Sequence, residues 1–145
     1  MTMADLSFIC AIDQQVDVTP WSEKLFADCI QVGYECWVIT LETQIVGFGI
    51  SNYSVTEAHL LKLAIAPDHQ QQGLGQKMLL HLVSMARIHG AVEMFLEVRV
   101  SNSTAIKLYE KNHFAEVGMR KGYYPANETL GYPKEDAITM AMPLL

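Results

Sequence analysis

The chain has 145 residues, 50% hydrophobic and 18% charged, with Lys+Arg 10 against Asp+Glu 16 for a formal net charge of −6. That length suits one domain with a real core. The composition excludes a disordered or collagen-like chain, and the acidic balance argues against general nucleic-acid binding, which needs a basic surface.

A helix is expected to begin around Pro20-Trp21-Ser22-Glu23, capped by Thr19 or Ser22, to run through Leu25, Phe26, Cys29 and Ile30, and to end at Gly33. Cys36 to Ile50 is rich in Trp, Val, Ile and Phe and breaks at Glu42-Thr43-Gln44, which predicts a β-hairpin. Glu57 to Ala66 is a third strand, stopped by Pro67. Gly73 to His89 is the clearest helix. Leu74, Met78, Leu82 and Ala86 repeat every four residues, Leu79 and Val83 widen the stripe, and Gly90 stands at the left-handed C-terminal position.

Val92 to Val100 alternates with period two. Val92, Met94, Leu96, Val98 and Val100 face one way, and Glu93, Phe95, Glu97 and Arg99 the other. A shorter helix from Asn102 or Ser103 to about Asn112 lays Ala105, Leu108 and Tyr109 on one face. Phe114 to Tyr124 and Ala137 to Met142 are the last two strands, joined by a polar stretch from Pro125 to Asp136. Strand–helix–strand units over 57–100 imply a parallel pair formed by a right-handed crossover, and the hairpins imply antiparallel pairing elsewhere. The expected fold class is α/β (α+β), a mixed sheet with helices on its faces.

No apolar run approaches the roughly 20 residues of a membrane span. Met1 to Cys10 lacks the basic start and apolar stretch of a secretory signal, so a cytoplasmic protein is expected. Cys10, Cys29 and Cys36 form no CxxC pair and are odd in number, which disfavours a disulfide framework or a zinc site. The five histidines show no HExxH or HxH spacing, and no metal is expected.

Gln70-Gln71-Gln72-Gly73-Leu74-Gly75 lies between a strand and the strong helix. Free N–H groups and the helix dipole favour an anion there, and glycines let it come close. On geometry alone, a ligand-free strand–helix turn fits equally well. The run is neither a Walker loop nor a GxGxxG fingerprint, since residue 78 is Met78.

This run resembles the Gln/Arg-x-x-Gly-x-Gly/Ala motif of the Gcn5-related N-acetyltransferases, which cradles the pyrophosphate of acetyl-CoA; Gln70, Gly73 and Gly75 supply the matching positions. Further segments are similar to one branch, the bacterial ribosomal-protein-alanine N-acetyltransferases (RimI). They are Pro20-Trp21-Ser22-Glu23, Leu96-Glu97-Val98-Arg99, Ser101-Asn102, Ala105 to Glu110, Tyr123-Tyr124-Pro125 and Glu135-Asp136-Ala137. The resemblance implies a single acetyltransferase domain over 1–145. Its sheet would be mostly antiparallel, with a central parallel pair splayed to admit acetyl-CoA. The implied acceptor is the N-terminal alanine of ribosomal protein S18, a basic peptide terminus, with no nucleic acid or membrane partner. An acetyltransferase for another terminus or a small amine, and a non-catalytic acetyl-CoA-binding module, are the rivals.

By the same resemblance, Leu63, Ala64 and Ile65 present backbone groups to the pantetheine arm. Gln70, Gln71, Gln72, Gly73, Leu74, Gly75 and Gln76 hold the pyrophosphate, and Asn102 contacts the donor. Many members carry Arg at the position of Gln71. A bulge in the strand at 63–65 would splay it and free an N–H for the thioester oxygen.

Amide formation needs the amine deprotonated, an oxyanion stabilised and the sulfur protonated as it leaves. Glu97 interrupts an apolar strand and is the natural base, with partial desolvation expected to raise its pKa. The plainer alternative is a carboxylate paired with Arg99 or Lys62. Tyr109 is the natural acid, its plainer role being a core tyrosine. The resemblance assigns both to catalysis. For Asn102 the plainer role is a helix cap. Tyr123 and Tyr124 are expected in the acceptor wall, and alternation lets at most one face the groove. Glu35, Glu128, Glu135 and Asp136 are acidic candidates near it, and acidity over 128–136 would steer a basic peptide. His113 replaces a glycine usual in the family, so Asn112 or His113 is expected in the left-handed region. The Pro125–Asp136 loop is longer than usual.

Overall fold

The computed structural model describes residues 1–145. Its elements are α1 (Leu6–Val16), α2 (Glu23–Gln31), β1 (Glu35–Leu41), β2 (Gln44–Tyr53), β3 (Glu57–Ile65), α3 (Leu74–Ile88), β4 (Glu93–Arg99), α4 (Ser103–Lys111), β5 (Ala115–Tyr124) and β6 (Glu135–Pro143), with short 3-10 turns before α1 and after β3. Six strands form one sheet in the order β1-β2-β3-β4-β6-β5. Only β3 and β4 run parallel, joined by α3 as the crossover. No helix is long and apolar enough to cross a membrane.

The local signals act where the sequence places them. Ser22, not Thr19, caps α2, its hydroxyl accepting from the Leu25 N–H at 3.1 Å. Gly33 and Gly90 take positive φ after α2 and α3, and His113 (φ 75°), not Asn112, takes the left-handed residue after α4. One helix is additional to the sequence reading: α1. It buries Leu6, Ile9, Ile12 and Asp13. A charged residue inside the apolar stripe disguises its period.

The two sheet faces carry separate cores. Met78, Leu79, Leu82, Val83 and Ala86 of α3 pack with Met94, Leu96 and Val98 of β4 and Tyr109 of α4. On the other face Leu6, Ile9 and Ile12 of α1 and Phe26 and Cys29 of α2 pack on Phe48, Ile50 and Ala64. The alternation in β2 serves both. Phe48 and Ile50 fill the second core, while Gly49 lets α3 sit directly on the sheet. A Cβ at Gly49 would lie 2.7 Å from Met78 Cγ and 2.9 Å from Leu82 Cδ1.

Two irregularities open the sheet. Between β2 and β3, Ile50 faces Lys62 and Ser51 faces Leu60, so Leu61 is an extra residue, a bulge. Consequently Leu61 and Lys62 both lean toward α1 and α2, while Leu60 and Leu63 face α3. The bulge stands at Leu61, just before the Leu63–Ile65 segment, and not within it. Parallel pairing of β3 with β4 covers only Glu57↔Glu93 to Leu60↔Leu96. β3 stays on β2 to Ile65, and β4 stays on β6 to Arg99. Past Leu60 and Leu96 the strands diverge, and the facing backbone edges of 61–65 and 97–99 have no ladder partner.

Candidate active site

Glu97 is the first β4 residue beyond the parallel ladder. Period two buries Met94, Leu96 and Val98 against α3 and α4, so Glu97 points to the opposite face. Its side chain is 7% exposed. Oε2 lies 2.5 Å from His59 Nε2, and Oε1 lies 3.4 Å from Arg120 Nη2. His59 reaches Glu97 because its register partner is Phe95, and Glu97 stands one pleat further along the same face.

This pairing corrects two expectations. The hydrogen bond from His59 outweighs desolvation, and the charges of His59 and Arg120 add to it, so the Glu97 carboxyl is held below its ordinary value rather than raised. Arg99 and Lys62 are not its partners. Arg99 Nη2 donates to Thr19 Oγ1 at 2.6 Å, and the guanidinium pairs with Asp17 at 3.5 Å and Glu135 at 3.3 Å. Lys62 Nζ sits 2.8 Å from Asp13 and 2.7 Å from Asp17.

Tyr109 comes from the other side of the sheet. It is buried in the α3–α4 core with its ring 5.9 Å from that of Phe114. Burial pushes its phenol up to about 12, so the group is a neutral donor across the working range. Tyr124 is near both Tyr109 and Glu97. Burial raises the Tyr124 phenol, and the nearby Glu97 and Tyr109 act in the same direction. The Arg99 guanidinium stacks 4.2 Å from its ring centroid. Tyr123 is exposed, 5.4 Å beneath Arg120. One tyrosine of the pair therefore turns inward, and it is Tyr124.

The glycine run forms the turn into α3. Gln71 and Gly73 both have positive φ, 62° and 80°. The Gln70 amide donates to Ile65 O at 3.0 Å and ties the turn to the end of β3. The first bond of the helix is Lys77 N–H to Gly73 O, with no side-chain cap. The N–H groups of Leu74, Gly75 and Gln76 are thus free of helix acceptors. Nothing lies within 4 Å of where a Gly73 Cβ would stand, and a Gly75 Cβ would meet only Leu108 at 3.5 Å and Ile65 at 3.8 Å. An open, uncapped, glycine-lined N-terminus suits an anionic group such as a pyrophosphate. Gln72 is exposed beside it. Gln76 accepts from Asn112 across to α4 at 3.4 Å. Asn102 performs its plainer role, Oδ1 accepting the Ala105 N–H at 3.2 Å.

The wall on the Glu97 face is a braced pair of loops. Asn127 Nδ2 donates to Val18 O at 2.7 Å, fastening the β5–β6 loop to the α1–α2 loop. Of the acidic candidates, Glu135 accepts from Arg99 and Ser101, and Asp136 accepts the Gly122 N–H at 2.8 Å. Glu35 lies on β1, at the sheet edge away from the β5–β6 loop, and accepts from Trp37. Glu128 is the exposed one on that loop. The residues the sequence reading missed are His59, Arg120, Asp13 and Asp17. For His59 a signal existed, since a polar residue in an apolar strand facing Glu97 across a parallel pair is a candidate partner.

The sequence profile of the Acetyltransferase (GNAT) family matches residues 5–114. The chain belongs to the GNAT acetyltransferase family. It is 39% identical over 140 residues to the ribosomal protein bS18-alanine N-acetyltransferase of Escherichia coli (strain K12), covering 97% of this chain and 92% of that protein. The crystal structure of the ribosomal-protein-S18-alanine N-acetyltransferase from Escherichia coli superposes with a TM-score of 0.89 at 38% identity, over 99% of this chain and 90% of that one. Ard1 from Thermoplasma volcanium superposes with a TM-score of 0.89 at 26% identity, over 100% and 95%. The splayed sheet is thus the GNAT fold, and the chain is an N-acetyltransferase of that family.

Proposed function

We propose that this GNAT enzyme transfers the acetyl group of acetyl-CoA to the N-terminal alanine of ribosomal protein bS18, working in the cytoplasm. The named acceptor of the 39%-identical relative supports the alanine terminus. The observation that carries the chemistry is Glu97, an ionised and nearly buried carboxylate at the mouth of the cleft between β3 and β4.

In this reading the free N–H groups of 74–76 and the turn 70–73 hold the donor pyrophosphate, and the unpaired edge of Leu63, Ala64 and Ile65 lines the pantetheine arm. Asn102, at the start of α4, adds a polar contact. Tyr124 and the braced loops place the acceptor from the Glu97 side, with Tyr123 at its rim.

An α-amino group titrates at about 7.7–8.0, so roughly one in ten is already neutral at pH 7. Glu97 therefore need not be a strong base. Its charge draws the ammonium in. Once nitrogen bonds to the acetyl carbon, the N–H becomes acidic enough for even a weak carboxylate to take, directly or through one water. Tyr109 then gives its proton to the sulfur as the C–S bond breaks, and its phenolate is reprotonated from water before the next turnover.

The test follows thiol release with acetyl-CoA and synthetic peptides. A basic peptide starting with alanine is expected to turn over, and Glu97→Gln and Tyr109→Phe to bind acetyl-CoA but lose about 100-fold or more in kcat. Turnover of a polyamine instead would overturn the acceptor, and a double variant at full rate would overturn both catalytic roles.

A further inference from the structure

We propose that His59 is the outlet through which the proton taken up by Glu97 reaches solvent. This rests on Glu97 being the proton acceptor. His59 acts through Glu97 and is a positioning and relay residue, not one that touches the acceptor.

An ammonium nitrogen loses two protons on acetylation, the first to water before attack and the second to Glu97. The sulfur takes one from Tyr109, which regains it from water, so one net proton is released and the one on Glu97 must leave before the next turnover. Glu97 is 7% exposed, and its own opening faces the side from which the acceptor enters. His59 offers an exit on another side. Its side chain is 35% exposed, and its Nε2 touches the carboxylate. Its Nδ1 makes no hydrogen bond within the chain and is not sealed away. The ring lines a polar cavity of about 160 Å³ with Asn52, Tyr53, Ser54 and Glu57, large enough for water.

Four other charged groups lie nearby. Arg120 approaches the far oxygen, Oε1, and carries no transferable proton at working pH. Lys62 on β3 is held by Asp13 and Asp17. Glu57 lines the same cavity as His59, one pleat away on the same strand, and leaves the proton's exit on an acidic rim; Glu93 is its register partner on β4.

The transfer balances. At rest the Nε2–H of His59 donates to the Glu97 carboxylate. Once Glu97 is protonated, exchange with cavity water moves the ring proton from Nε2 to Nδ1 and frees the Nε2 lone pair. The proton on Glu97 Oε2 passes to that lone pair, giving imidazolium and restoring the carboxylate. Nδ1 then releases its proton to the water, which returns the ring to its starting tautomer. An imidazole suits the task because its ordinary pKa, about 6.5, lies between a carboxyl and an α-amino group.

The experiment compares His59→Ala, His59→Gln and Glu97→Gln with the unmodified chain, using acetyl-CoA and a synthetic basic peptide that starts with alanine. Acetyl-CoA affinity, measured in parallel, reports an intact fold. His59→Ala is expected to lose about tenfold or more in kcat with its acetyl-CoA KM unchanged. Added imidazole should restore the rate in proportion to its free base. His59→Gln, which can orient Glu97 but cannot pass a proton, should stay slow.

Full rate in His59→Gln, or a slow His59→Ala that imidazole does not help, would reduce His59 to a structural contact and overturn the proposal. Full rate in His59→Ala beside a slow Glu97→Gln would overturn this inference alone. Full rate in Glu97→Gln would overturn the reading beneath it.

Discussion

Replacing Lys62 with methionine removes the ammonium that faces a fully buried carboxylate. Asp13 has no solvent exposure, and its Oδ2 accepts from the Trp21 N–H at 2.8 Å and pairs with Lys62 at 2.8 Å. Its Oδ1 has no partner. Removing one member of such a pair costs about 3–5 kcal/mol. Asp13 can limit the loss by taking a proton, and burial already holds its carboxyl above the ordinary 3.8. Protonating a carboxyl of that ordinary value costs about 4 kcal/mol at pH 7 and under about 2 kcal/mol at pH 5, which sets the ceiling at each pH. In the variant the folded state holds a proton that the unfolded state releases above its own pKa. Stability therefore rises as pH falls through that window, and the deficit shrinks. Urea unfolding of both proteins at pH 7 and pH 5 measures this. The paired change Lys62→Met with Asp13→Asn should recover most of the loss. A deficit below about 1 kcal/mol at pH 7, or one that grows on acidification, would refute the reasoning.

Gly49→Val sets a Cβ into Met78 and Leu82 and should destabilise the chain by about 1–3 kcal/mol, visible as a lower Tm; an unchanged Tm would mean α3 does not rest on β2 at this point. Because burial holds the Tyr109 phenol up near 12, kcat should show no alkaline loss attributable to it up to about pH 10, and a limb that vanishes in Tyr109→Phe below that pH would contradict its burial. Glu128→Lys should raise the KM of a basic peptide at low salt and lose that effect at high salt, whereas Glu135→Lys should lower Tm, because Glu135 is occupied by Arg99 and Ser101.

Elements whose burial follows one uninterrupted period were legible in the sequence. The stripe of α3 and the alternation of β4 identify themselves, and with them the side of the sheet on which Glu97 stands. The glycine turn was legible because its backbone needs are local. α1 was not, because its Asp13 is explained only by Lys62, a residue on a distant strand. The leucine run Leu60-Leu61 hides the bulge, since either residue could face either core. The direction of the Glu97 shift was misread for the same reason. Burial was inferable from its strand, but the histidine that outweighs burial lies 38 residues away. Of the acidic residues expected to act on a peptide, Glu135 and Asp136 are also bonded to their own loop and strand neighbours, which their position in the sequence did not reveal.

The central claim is that this GNAT enzyme acetylates an α-amino terminus. The most direct measurement incubates it with acetyl-CoA and a synthetic peptide carrying an N-terminal alanine and internal lysines, then locates the modification by fragmentation mass spectrometry. One acetyl group on the alanine nitrogen, with the lysines untouched, is the predicted result. Acetyl groups on the lysines, or an unmodified peptide under conditions in which a small amine is acetylated, would contradict it.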